Sequence, residues 1–275
     1  MWKGTLFHEV LHLPAYLLRA AQAQRVPYTL STHTYGPHAR QYFQVLCPPT
    51  PPTAWIVYWH GGSWQFGSPE RFHAAAYHWL AQGYGVIMPS YRRIPRFNYR
   101  DIREDTVTCL RLAREAVPGG INLPFVFMGM SAGGHIAALA ATDRELRAQI
   151  HWATGQIVGC IPMGGVLNLN AFWLHPTMIA LAGVPTGELY QLANPFNHLQ
   201  GDECPLLVIH GTKDGMVGFK GIEQYCAKYE SLNPAEKLQL ITIPDGTHLD
   251  AGVWLYSQNE VQRQVQSVVA SWVTA

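Results

Sequence analysis

Hydrophobic and polar positions change their period several times along this chain. Over residues 99–116, YRDIREDTVTCLRLAREA, apolar residues recur every three or four positions with charges between them, which predicts a helix. Residues 54–60, AWIVYWH, form a short continuous apolar run instead, the pattern of a strand buried on both faces. The two patterns then alternate. Strands are predicted at 84–91, 123–130, 157–165, 205–211 and 237–245, and further helices at 69–83, 132–143, 218–232 and 259–273. Upstream, VPYTLSTHTYG and ARQYFQVLCP meet at GPH and predict an antiparallel hairpin. Residues 5–23 are partly helical in pattern, with Pro14 expected to break or kink the helix. Residues 166–203 fit the alternation poorly and predict a small cap-like insertion over the strand ends. The expectation is an α/β fold: one domain over 1–275, a helical segment at 1–25, and a mostly parallel central sheet with helices on both faces. In such a sheet, ligands bind beyond the carboxyl ends of the strands.

Composition narrows the class. Of 275 residues, 48% are hydrophobic and 13% charged, which suits a compact globular chain. A net charge of +1 offers nothing to attract nucleic acid or an anionic membrane. The five cysteines, Cys47, Cys109, Cys160, Cys204 and Cys226, are odd in number and form no C-x-x-C pair, so reduced thiols in a cytoplasmic protein are expected. The early stretch LHLPAYLLRAAQA is not expected to act as a signal peptide, because His8, Glu9, His12 and Arg19 interrupt its apolar run.

The chemistry sits at four strand ends. GMSAGG (129–134) follows a predicted strand and opens a predicted helix, which is the setting of a nucleophile elbow. Ser131 is the candidate nucleophile, with the helix N-terminus favouring developing negative charge. A serine needs a base, and the base needs an orienting carboxylate, in the chain order Ser, acid, His. TKDGMV after the strand at 205–211 offers Asp214, and DGTHLD after the strand at 237–245 offers His248. Asp245 and Asp250 are rival acids, but they share the loop of the histidine, so Asp214 is favoured. WHGGSW (59–64) ends the first parallel strand. Gly61 and Gly62 there, with Ala132 after the serine, are the candidate oxyanion N–H donors. Trp64, Leu167, Phe172, Trp173, Met178 and Ile179 are candidates for an apolar substrate pocket, with ordinary core packing as the competing role.

Taken together, these motifs resemble the α/β-hydrolase superfamily over roughly residues 35–270. HGGSW is similar to the HGGxW of kynurenine formamidases and of small esterases near the feruloyl esterases. GGVLNLNAF (164–172) and NPFNHL (194–199) resemble later segments of that branch, with Gly164 and Asn168 as departures. The resemblance implies hydrolysis of a small carboxylic ester, or alternatively of an N-formyl amide, without a cofactor. A non-catalytic binding protein on the same fold is the other alternative.

HEVLH (8–12) matches the H-E-x-x-H pattern of zinc proteases. Pro14 follows two residues after His12, and the extended motif is absent, with Ala15 and Leu18 at its next positions. A short amphipathic helix without a metal is the expectation.

Overall fold

The structure, a computed structural model, describes residues 4–153, 155–172 and 175–275. Its strands are β1 (Thr29–Thr34), β2 (Tyr42–Cys47), β3 (Trp55–Trp59), β4 (Gly85–Pro89), β5 (Phe125–Met130), β6 (Ile157–Met163), β7 (Leu206–Gly211) and β8 (Leu238–Ile243). They form one sheet in the order β1-β2-β4-β3-β5-β6-β7-β8. β1 pairs antiparallel with β2, and β2 antiparallel with β4; every later pairing is parallel. The order reverses at β3, between β4 and β5, and in open α/β sheets ligands bind beyond the carboxyl ends of the strands at such a point.

The helices are α1 (Leu6–Gln22), α2 (Tyr77–Ala81), α3 (Tyr99–Ala116), α4 (Ala132–Thr142), α5 (Arg144–Ile150), α6 (Pro176–Ala182), α7 (Glu188–Ala193), α8 (Phe219–Leu232), α9 (Asp250–Val253) and α10 (Glu260–Thr274). Asn98 explains the start of α3: its side chain accepts the Arg100 N–H while Asp101 reaches back to the Asn98 N–H, a complete capping box. The predicted helix at 69–83 is split, with a 3₁₀ turn over Pro69–Ala76 leading into α2.

Two cores flank the sheet, as the two-residue period of a strand requires. Trp55, Val57 and Trp59 of β3 join Phe125 and Phe127 of β5 on one side. Ile56 and Tyr58 join Val126, Met128 and Met130 on the other. All eleven residues of α4 are buried, so the helix after the candidate serine lies inside the molecule rather than on it.

α1 departs from expectation. Pro14 lies inside it and does not break it. A proline forfeits the bond to the carbonyl four residues back, here that of Val10, a residue 58% exposed. The helix also turns its leucines outward: Leu6, Phe7, Val10, Leu11, Leu13, Leu17 and Leu18 are all exposed. Its buried residues are Glu9 and Tyr16. Fully burying one leucine contributes about 1.5–3 kcal/mol, so the driving force that docks most surface helices is largely unused here. Among the described residues no helix is long and apolar enough to cross a membrane.

Candidate active site

Ser131 stands between β5 and α4 with φ 56° and ψ −118°, a conformation that a residue with a side chain adopts only under constraint. The constraint is visible. Its N–H donates to the Met163 carbonyl at the end of β6 (2.8 Å). The elbow closes because its glycines carry no Cβ: one on Gly129 would run into the backbone of Gly133, and one on Gly133 into the Trp59 carbonyl.

The loops after β7 and β8 bring acid and base together. His248 Nδ1–H donates to Asp214 Oδ2 (2.8 Å), and both side chains are buried. Asp214 Oδ1 accepts the N–H groups of Met216 (2.8 Å) and Val217 (2.7 Å), which fixes the carboxylate within its own loop. Burial pushes the Asp214 carboxyl up, but His248 and the ring of His210, 3.2 Å from Oδ2, together hold it well below the usual carboxylate range. The two loops are laced to each other: Lys213 N–H donates to Gly246 O (2.8 Å) and Asp245 N–H to Thr212 Oγ1 (2.8 Å). With Nδ1 committed to Asp214, Nε2 is the ring nitrogen left to exchange a proton. His248 packs beside Gly164, the residue after the one that anchors the Ser131 N–H; a Cβ on Gly164 would lie 3.2 Å from His248 Cε1. Among the described residues Ser131 Oγ makes no hydrogen bond, and such contacts commonly tighten only with substrate in place. The rival acids are engaged elsewhere. Asp245 pairs with Lys213 (2.7 Å), and Asp250 accepts from Thr247 N–H and Oγ1 (2.8 and 3.0 Å).

The loop after β3 winds left-handed through Gly62 (φ 123°), Ser63 (φ 52°) and Trp64 (φ 58°). Gly62 O accepts the N–H groups of Gln65 and Phe66, both at 2.9 Å. His60 Nδ1–H donates to Gly61 O (2.8 Å). Because a trans peptide sets its N–H opposite its carbonyl, this bond turns the Gly62 N–H the other way. His60 is 1% exposed and stacked on Tyr91, and burial lowers its pKa to about 4, so it remains a neutral donor. Arg93 Nη2 donates to the Gly67 carbonyl and fastens the far end of the loop. A Cβ on Gly61 would lie 3.4 Å from Ser131 Cβ, so the glycines come directly against the elbow. Ala132 is the first residue of α4, where no carbonyl precedes it to accept its N–H.

Of the residues expected to wall a pocket, Trp64, Leu167 and Met178 are buried in the core, and Phe172 packs half-buried against it. Trp64 meets His135 edge-on, 5.1 Å between ring centres. Ile179 is 41% exposed. Trp173 lies outside the described residues. Two residues near the site had no role in the sequence reading. His210, the last residue but one of β7, lies against Asp214. Glu9, inside HEVLH, is 3% exposed and accepts from the loops of both Asp214 and His248. His8 and His12 stack on the surface, 4.0 Å apart, and among the described residues no cluster could hold a metal.

A family model, BD-FAE, matches residues 45–228, about two thirds of the chain. The chain belongs to the BD-FAE family. Esterase LipQ of Mycobacterium tuberculosis is 27% identical over 172 residues, covering 57% of this chain and 41% of its own. Esterase LipC of the same organism is 24% identical over 221 residues, covering 73% and 54%. The chain therefore spans about half the length of these two relatives. The kynurenine formamidase of Salmo salar is 24% identical over 255 residues, with 87% of this chain and 81% of its own covered. Among solved structures, a truncated carbohydrate esterase from gut microbiota superposes with a TM-score of 0.76 at 16% identity, covering 90% of this chain and 97% of that one. At that identity the likeness shows the fold, and the fold is that of the α/β-hydrolases.

Proposed function

We propose that the chain is a serine hydrolase that cleaves small carboxylic esters through an acyl-enzyme. Ser131 attacks the ester carbonyl while His248 takes its proton, then returns it to the leaving alcohol. Asp214 holds the ring in the tautomer that leaves Nε2 free and stabilises the imidazolium. The N–H groups of Gly61, Gly62 and Ala132 receive the oxyanion. Water then repeats the sequence and releases the acid. The observation that carries this reading is the buried Asp214–His248 hydrogen bond, made between two strand-end loops of the sheet whose β5 leads into Ser131, held in a strained elbow. The esterase names of LipQ and LipC agree with it. No cofactor is required by this chemistry. The free cysteines suit a reducing, cytoplasmic setting.

Formamide hydrolysis is the second reading, favoured by the length over which the kynurenine formamidase aligns. The tetrahedral chemistry is the same, with a formyl group as the acyl and an amine in place of the alcohol as the leaving group. Of the pocket candidates among the described residues, Phe172 and Ile179 are those we assign to an acyl or aryl wall; Trp64, Leu167 and Met178 would back it from the core. Short acyl chains are expected to be preferred.

The test pairs a fluorophosphonate probe with a panel of p-nitrophenyl esters, feruloyl esters and N-formylkynurenine. Labelling should fall on Ser131, and Ser131→Ala should lower turnover by on the order of 10⁶ with the fold intact. A Ser131→Ala protein that keeps a tenth of the esterase activity would remove Ser131 from the role. Absence of both labelling and turnover in the unaltered protein would favour a non-catalytic binding protein. N-formylkynurenine cleaved faster than every ester would replace esterase by formamidase, and a preference for long-chain esters would sink both.

A further inference from the structure

Glu9 is the least expected residue in the molecule. It lies on a helix whose leucines face solvent, yet it is itself only 3% exposed. Oε1 accepts two backbone N–H groups: that of His248 (2.9 Å) and that of Gly215 (3.2 Å). The first belongs to the candidate base, and the second follows the candidate acid by one residue. A single oxygen thus ties together the two loops whose spacing sets the Asp214–His248 hydrogen bond. No hydrogen bond reaches Oε2, so the contact is made by one atom.

The rest of α1 braces the same ground. Its N-terminal turn lies against the acid loop, where a Cβ on Gly215 would meet the backbone of Thr5 at 2.7 Å. Tyr16 reaches the segment after the base: its hydroxyl lies where a Cβ on Gly252 would approach to 2.8 Å, and its ring meets Tyr256 edge-on at 5.3 Å. The helix therefore holds residues 248–256 at two points and the acid loop at a third. Burying a carboxylate is costly unless its hydrogen bonds are specific, and apolar burial does not explain why α1 sits here.

We propose that Glu9 is a positioning residue for the catalytic acid and base. Its carboxylate clamps the His248 and Gly215 backbones and thereby fixes the imidazole in register with Asp214. This rests on the hydrolase reading of the site above. Glu9 touches neither substrate nor reacting atoms and acts through His248.

The test compares Glu9→Met with Glu9→Gln in the full chain. The two side chains are similar in length, and only glutamine keeps an acceptor oxygen. Two readouts are taken beside thermal stability: steady-state kinetics with a short p-nitrophenyl ester, and the low-field proton resonance of the His248 Nδ1–H, recorded without substrate. Misplacing a catalytic group by about an ångström costs about 10²-fold. Glu9→Met is therefore expected to lower kcat by about that factor with little change in KM, to shift or lose the Nδ1–H resonance, and to remain folded. Glu9→Gln is expected to recover the resonance and to stay within roughly fivefold of the original kcat. Equal kcat and an unaltered resonance in Glu9→Met would overturn the proposal, as would equal losses in both variants. Should Glu9→Met fail to fold, Glu9→Gln decides alone: a shifted resonance overturns the acceptor role and an unchanged one supports it. Because the resonance is read without substrate, failure of the clamp is distinct from failure of the hydrolase reading, which shows instead as an unlabelled Ser131 in the unaltered protein.

Discussion

Asp214 carries two separate tasks with its two oxygens. Oδ1 is spent on the N–H groups of Met216 and Val217, and Oδ2 faces the rings of His248 and His210. The two N–H groups on Oδ1 and the His248 ring on Oδ2, with the His210 ring close by, keep the carboxylate ionised despite its burial. Replacing it with asparagine offers an amide to His248, which cannot hold the ring with Nε2 free. On the proposed roles, Asp214→Asn is thus expected to cost roughly 10⁴ in turnover. Asp245→Asn and Asp250→Asn should cost far less, since the first carboxylate pairs with Lys213 and the second secures Thr247. Parallel kinetics on the three variants checks this, and a larger loss in Asp245→Asn than in Asp214→Asn would reassign the acid.

At the scale of elements, the site depends on how closely α4, β3 and β5 approach one another. Gly133 lets α4 rest on the Trp59 carbonyl, and Gly129 lets β5 pass beneath that helix. Overpacking costs about 1–3 kcal/mol where side chains can yield; here the obstacle is backbone, so Gly133→Ala should sit at or above about 3 kcal/mol. Urea unfolding of the Ser131→Ala and Ser131→Ala/Gly133→Ala proteins measures it free of catalysis, and a loss below about 1 kcal/mol would mean that α4 moves freely. These elements were legible in the sequence because buried parallel strands are apolar throughout and the elbow needs glycine at fixed offsets. The surroundings were less legible. Apolar Trp64, Leu167 and Met178 fit a core as well as a pocket wall, and the sequence offers no means to tell which. The role of α1 could not be read at all. Its amphipathic pattern defines a face without saying which way it turns. The partners of Glu9 lie 206 and 239 residues away, beyond any local pattern. HEVLH drew attention to the right helix through its histidines, while the residue that reaches the site is the glutamate between them.

For the whole molecule, net charge is near zero and sets no pH limit by itself. Buried histidines do. His60 and His135 are 1% and 0% exposed, and burial lowers the pKa of each to about 4 from the ordinary 6.5. Between those values the unfolded chain binds protons that the folded chain refuses. Stability from this source is therefore complete above the ordinary histidine pKa and is lost as pH falls towards 4, by up to about 1.4 kcal/mol per pH unit for each ring. Asp214 does not confuse this window. Its folded pKa is depressed, so its contribution is held above the usual carboxylate range and lost only at lower pH. His135 isolates the effect. Its Nε2–H donates to the Ala193 carbonyl (2.7 Å), a bond that a glutamine amide can replace without a titrating group. His135→Gln should flatten the acid side of the stability curve by roughly 1 kcal/mol per pH unit between about pH 6 and 5. Urea unfolding of both proteins at several pH values reads the two slopes directly. Equal slopes would mean that His135 takes up its proton within the folded core, and that the burial of its ring does not set the acid limit.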